Sequence, residues 1–264
     1  MPASGAKVIA LLTDFGTRDW YVAAMKGVML SQAPRAQLID ITQEIPPQDI
    51  LAGAFILASV ASWFPPGTIF VAVVDPGVGG DRALLAARAD DRYFIGPDNG
   101  LLAWSLERAK RATIVRLTNR RYWLKEVSRT FQGRDIMAPV AAYLARGVRL
   151  HQLGTPIERV VPLILPTIQR HERSIEGRLL HIDAFGNLVT NLPETVLRGN
   201  KSAGQMRLRY KDRSARMVSS YKEGAANELI AVVGSLRLIE LAMKEGSAAW
   251  VCNARRGDPV ELRW

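Results

Sequence analysis

The chain has 264 residues, 48% of them hydrophobic, enough to fill one large core or two smaller ones. Its single cysteine, Cys252, excludes an intramolecular disulfide and fits a reducing compartment. The formal net charge of +10 suits an anionic partner or solubility alone, and the first apolar run, Val8 to Leu12, is too short for a signal-peptide core or a membrane span, so a soluble cytoplasmic protein is expected.

In chain order, Lys7 to Thr13 reads as a first strand, with TDFGTRD (Thr13 to Asp19) as its exit loop. Trp20 to Leu30 has near-helical apolar spacing, and Gln37 to Thr42 reads as a second strand. Pro46 and Pro47 precede Gln48 and Asp49, which start a helix through Trp63 that Pro65-Pro66-Gly67 ends. Thr68 to Val74 is a third strand, whose last four apolar residues run into Asp75 and the turn DPGVGGDR. Leu84 to Arg88 and Tyr93 to Ile95 form a pair of short strands. Asp98 or Asn99 begins a helix through Ala109, and Thr113 to Leu117 is a further strand. Thr130 to Asp135 is a polar loop opening a helix, Ile136 to Ala145, closed by Gly147. Alternating strands and helices predict an α/β domain with a mainly parallel sheet over residues 1–155.

Pro156, Pro162 and Pro166 then mark a linker, 156–172. Over 173–264, Ser174 to Thr190, Gln205 to Ser220, Glu228 to Val233 and the last 16 residues read as strands, and Leu238 to Lys244 as a helical turn. This predicts a smaller C-terminal β-barrel-like domain. Arg207, Arg209, Lys211 and Arg213 alternate and would line one strand face, but no RNA-binding aromatic motif accompanies them, which disfavours nucleic acid as a partner.

Four polar motifs interrupt apolar runs: TDFGTRD, DPGVGGDR, TFQGRD (Thr130 to Asp135) and DAFGN (Asp183 to Asn187). Asp at or near a strand end is placed to meet a ligand, and carboxylates accept paired hydrogen bonds from ribose diols and ammonium groups. Phe185 and Asn187 offer a stacking face and an amide to an adenine. Each motif alone is common. His151, His171 and His181 have no metal-ligand spacing, Cys252 reads as core, and neither a dinucleotide-binding glycine motif nor a P-loop is present.

Together and in this order, these motifs with PPQD (Pro46 to Asp49), GPDNGLL (Gly96 to Leu102), DAFGNLVTN (Asp183 to Asn191), GSLRLIELA (Gly234 to Ala242) and GDPV (Gly257 to Val260) resemble the S-adenosylmethionine hydrolases, or SAM hydroxide adenosyltransferases. These are relatives of the SAM-dependent fluorinase and chlorinase. The resemblance implies a homotrimer with active sites between the N-terminal domain of one subunit and the C-terminal domain of its neighbour. It implies hydrolysis of S-adenosylmethionine to adenosine and methionine, with no cofactor or metal. Asp14 matches the ribose-binding carboxylate, with Asp19 in the same loop; Asp183 matches the residue on the methionine ammonium. Phe185 and Asn187 match adenosine contacts, Ser235 a methionine-carboxylate contact, and Glu240 and Ala248 lie on the same side. Asp75 and Arg82 match two members of a water-activating set whose third member is His in TFHGRD; this chain reads TFQGRD, with Gln132 there. The alternatives are a non-catalytic binder of S-adenosylmethionine or adenosine and, disfavoured by Asp75 and Arg82, a halogenase.

Overall fold

A computed structural model describes residues 6–198 and 206–264. The chain divides into two compact units, Met1–Ile164 and Leu165–Trp264. No helix among the described residues is long and apolar enough to cross a membrane.

The first unit is a seven-stranded sheet in the order β2-β1-β3-β5-β4-β6-β7. Its strands are β1 (Val8–Thr13), β2 (Gln37–Thr42), β3 (Ile69–Val73), β4 (Leu84–Ala89), β5 (Arg92–Pro97), β6 (Ala112–Leu117) and β7 (Gly154–Ile157). β2, β1, β3 and β5 run parallel. β4, β6 and β7 continue the sheet antiparallel. Helices cover both faces. Ile9 and Leu11 of β1 pack with Met25 and Met29 of α1 (Tyr21–Gln32) and with α4 (Ala138–Ala145). Ala10 and Leu12 pack on the other side with α2 (Ile50–Val60) and α3 (Ala103–Glu107). Two covered faces require strands apolar at every position, and β3 is buried at all of its residues.

Asp49 caps α2, its Oδ1 accepting the Ala52 N–H at 2.9 Å. The helix expected from Asp98 or Asn99 to Ala109 is shorter, Ala103–Glu107. Asn99 uses its side chain otherwise: Nδ2 donates to the Val74 carbonyl at 2.9 Å and Oδ1 accepts the Leu101 N–H at 3.1 Å. That fastens the loop to the end of β3 and delays the helix. Gly154–Ile157, in the proline-marked stretch, is a strand paired with β6.

The second unit is a barrel. Its strands are β8 (Gln169–Arg170), β9 (Ser174–Ile182), β10 (Leu188–Pro193), β11 (Arg207–Tyr210), β12 (Arg213–Val218), β13 (Leu229–Val233), β14 (Leu238–Met243) and β15 (Pro259–Arg263). The order β10-β14-β13-β12-β11-β15-β9 closes through β9–β10 pairing, and β8 adds to β9. The strand expected to begin at Gln205 has that start outside the described residues. Leu238 to Lys244 does not form a helical turn: Leu238–Met243 is β14, paired with both β13 and β10. Ile239, Leu241 and Met243 fill the barrel core at strand spacing. The short helix, α5, is Ala248–Val251. The arginine stripe is also broken, because Lys211 at φ +53° turns the β11–β12 hairpin. Arg207 and Arg209 lie on β11, and Arg213 starts β12.

Gly53 of α2 packs closely: a Cβ there would lie 2.8 Å from Leu101 Cδ1 and 3.1 Å from Val74 Cγ2. Gly53→Val is expected to cost about 1–3 kcal/mol through overpacking, read by urea denaturation against wild type.

Candidate functional site

The site residues expected from sequence fall into two groups, one in each unit. In the first, β1 and β3 are parallel neighbours with Thr13 opposite Val73. Asp14 follows the end of one strand and Asp75 lies two residues beyond the end of the other, so the register sets both acidic loops side by side. Asp14, Asp75 and Gln132 line one pocket of about 660 Å³, with Phe15, Tyr21 and Gln48 among its other walls. Asp19 is exposed in the TDFGTRD loop and is not one of those walls.

Arg82 folds back onto Asp75 as a fork. Its Nε donates to Oδ1 at 2.9 Å and to Oδ2 at 3.0 Å, and Nη2 donates to Oδ2. The carboxylate side chain is 5% exposed and the guanidinium 11%. A paired, nearly dry carboxylate keeps a fixed orientation and holds remaining lone pairs for a bound water. Asp14 Oδ2 accepts the Gln48 N–H at 2.8 Å, and Gln48 sits at φ +66°, a left-handed conformation costly for a residue with a Cβ. The PPQD turn thus aims a backbone donor at Asp14.

Gln132 precedes a π-helical turn, Gly133–Met137, that leads into α4. Such turns recur at functional sites because the extra residue re-aims a side chain. Its Oε1 is buried and has no hydrogen-bond partner. Behind it, buried Asp135 accepts from Arg134 Nε at 2.6 Å and from the Ser128 N–H at 2.8 Å. That bond raises the Arg134 pKa above its ordinary value, against the opposing effect of burial. Arg134 also stacks 5.0 Å above the Phe131 ring. Phe131 meets Phe15, Trp20 and Tyr21 in edge contacts at centroid distances of 6.0, 5.5 and 5.4 Å.

In the barrel, Asp183 organises its own turn. Oδ1 accepts the N–H groups of Phe185 and Asn187 at 2.9 and 2.8 Å, and Oδ2 accepts Asn187 Nδ2 at 2.8 Å. Phe185 is left 80% exposed. Gly186, at φ +83°, lets α5 dock on this turn: a Cβ would sit 2.0 Å from Ser247 Oγ, and its carbonyl accepts the Ala249 N–H at 2.9 Å. Ala248 is consequently buried, its side chain part of the barrel core. The backbone of Gly234 receives the Glu240 carboxylate, whose Oε2 would be 2.6 Å from a Cβ there, and Ser235 stands exposed beside it. The Tyr221 hydroxyl donates to Glu240 Oε1. Burial, and then the charge of Asp183, push the Glu240 pKa up, while the Tyr221 bond opposes the rise. Burial and the bond to Glu240 push the Tyr221 pKa up in turn.

Sequence reasoning assigned no role to Gln48, Tyr21 or Phe131, although PPQD and TFQGRD were visible. Tyr221 carries no sequence signal, lying in a short 3-10 turn outside every motif. Among the described residues there is no group of three or more His, Cys, Asp or Glu side chains suited to a metal.

Comparison with known proteins covers both units. Residues 9–154 match the SAM hydroxide adenosyltransferase N-terminal domain and residues 177–261 the C-terminal domain. The chain is 36% identical over 264 residues to the (R)-S-adenosyl-L-methionine hydrolase of Thermus thermophilus, covering 96% of this chain and 98% of that one. It is 36% identical to a protein of the same name from Salinispora tropica over 96% and 97% of the two chains. A fluorinase of an Actinoplanes species is 30% identical over 75% of each chain. An uncharacterized conserved protein from Thermotoga maritima superposes with a TM-score of 0.90 at 32% identity, covering 97% of this chain and 100% of that one.

A carboxyl whose pKa is raised by folding favours the folded state less once it ionises. Stability therefore falls as pH rises from the ordinary value of 4.5 through the folded pKa of Glu240. Glu240→Gln, which still accepts the Tyr221 hydroxyl, is expected to match wild-type Tm at pH 4 and to exceed it as the pH rises through the folded pKa of Glu240, the gain levelling off above it.

Proposed function

The chain belongs to the SAM hydroxide adenosyltransferase family, and from that premise we propose that it hydrolyses (R)-S-adenosyl-L-methionine to adenosine and L-methionine. The observation that carries this reading is the placing of Asp14 and Asp75 in one pocket by the β1–β3 register, with Arg82 clamping Asp75. Water attacks C5′ in line with the sulfur. The C5′–S bond breaks, its electron pair neutralises the sulfonium to give the methionine thioether, and the water loses a proton.

The leaving group needs no acid, so the protein's task is to hold the water and take its proton. Asp75 accepts the proton, and Arg82 stabilises hydroxide-like charge. Gln132 offers its unpartnered Oε1 to a water hydrogen; an amide holds the nucleophile but takes no proton. Asp14 binds the ribose hydroxyls, with Asp19 nearby in the loop. Asp183 faces the ammonium, Ser235 the methionine carboxylate, and Phe185 and Asn187 the adenosine, with Glu240 and Ala248 on the same side. The reaction calls for no cofactor. We place the protein in the cytoplasm as a homotrimer with sites shared between subunits, a state that light scattering coupled to gel filtration reads directly.

A second reading, binding without turnover, is favoured by Gln132 alone. Halogenation fits less well, because a halide site excludes a competing carboxylate such as Asp75.

Purified protein incubated with the separated sulfonium epimers in chloride-free buffer is expected to release adenosine and methionine from the R epimer, detected by mass spectrometry. Asp75→Asn should lower kcat about 10²–10⁴-fold while binding stays measurable by calorimetry. Gln132→His should preserve or raise kcat. Tight binding with no product in wild type would establish the second reading.

A further inference from the structure

Asp14 sits on a loop held by side chains that the proposed chemistry does not use. Gln43 follows β2 and is 3% exposed. Its Oε1 accepts the Thr13 hydroxyl at 2.6 Å, and its Nε2 donates to Asp40 Oδ1 at 2.7 Å. Its backbone carbonyl accepts the Gly16 N–H at 2.7 Å. Thr13 is fully buried, and its Oγ1 accepts the Phe15 N–H at 3.2 Å. The far end of the chain is an ion pair, Asp40 Oδ2 with Lys26 Nζ of α1 at 2.6 Å.

From Phe15 through Thr13 and Gln43 to Asp40 each donor points the same way, and Lys26 donates to Asp40 from the other end. Asp40 accepts only, so the Gln43 amide has one workable orientation, with Nε2 towards Asp40 and Oε1 towards Thr13. The Thr13 proton is then committed to Gln43, which leaves its lone pair for Phe15. The N–H groups of Phe15 and Gly16, the two residues after Asp14, are therefore both fixed by Gln43, one through Thr13 and one directly. The Gln48 N–H fixes the Asp14 carboxylate itself. Thr13 and Gln43 are both buried, so a polar pair here costs desolvation that an apolar pair would avoid.

We propose that Thr13 and Gln43 are positioning residues for nucleoside binding, acting through Asp14 by fixing the backbone that aims its carboxylate at the ribose hydroxyls. The proposal takes its ligand from the hydrolase reading above. A ribose clamp holds ground state and transition state alike, so loosening it raises KM and leaves kcat nearly unchanged.

The test measures kcat and KM for S-adenosylmethionine, calorimetric Kd for adenosine, and Tm. Thr13→Val, which keeps the shape and removes the hydroxyl, and Gln43→Met should each raise KM and the adenosine Kd about tenfold, with kcat within about threefold of wild type. Thr13→Ser should restore wild-type KM. In an Asp14→Ala background, Thr13→Val should change the adenosine Kd by less than about twofold, because the residue through which it acts is gone. Should Thr13→Val not fold, Asp40→Ala, at the more exposed end of the series, should raise KM about threefold. Wild-type KM and Kd in the folded variants would overturn the proposal, as would an equal effect of Thr13→Val with and without Asp14. If wild type forms no adenosine, the hydrolase reading falls, and the adenosine Kd series still decides the positioning; failure of wild type to bind adenosine would overturn both.

Discussion

A strand buried on both faces cannot carry a charge until it leaves the sheet, and the first unit is arranged by that constraint. β1 and β3 carry no charge along their length because helices cover each face, so their first acidic residues appear where the strands emerge. Parallel pairing brings those emergent ends to the same edge. Asp14 and Asp75 therefore become neighbours through backbone hydrogen bonds in the middle of the sheet. The loops need only refine an adjacency that the core has already imposed.

The refinement is electrostatic at one end and conformational at the other. Asp75 is nearly dry and is held by one guanidinium through a fork, the geometry in which arginine pairs carboxylate with least freedom. Removing one partner of such a pair typically costs about 3–5 kcal/mol because the other is left charged and unpaired. The pair is thus a fixed charge distribution. Asp14 is held instead by backbone, with Gln48 forced into a left-handed conformation to present its N–H. In the barrel, Asp183 spends most of its hydrogen bonds on its own turn, and a second carboxyl, Glu240, is packed against glycine backbone close to it.

The sequence showed the strand exits clearly, because Val-rich runs ended by Asp, Pro and Gly have one reading. It showed the barrel less well. LIELAM, in β14, is a short apolar run in which Glu240 breaks neither a helical nor an alternating pattern, and only pairing on both sides decides it. Asn99 looked like a helix start, yet its amide was recruited by the Val74 carbonyl, a partner 25 residues away. The motifs named most of the charged side chains considered for the site, but not their grouping. The Thr13–Val73 register joins positions far apart in the chain, and Asp19, one loop turn from Asp14, faces solvent. Tyr221 and Gln43 were illegible because each contributes through a single hydrogen-bonding geometry rather than through a pattern.

The π-helical turn after Gln132 has an implication for how this pocket can change. Each residue of an α-helix advances the chain by about 100° around the axis, so a one-residue insertion shifts everything before it in phase while leaving everything after it in place. α4 keeps its buried face against β1 and β3, and the residues ahead of the turn are rotated relative to it. Losing one residue between Gly133 and Met137 would leave the core face of α4 intact and swing a different side chain towards Asp75. The identity of the group lining the pocket with Asp75 is set by helical phase as much as by the residue at position 132, and a lineage can exchange it by changing length while α4 keeps its core face.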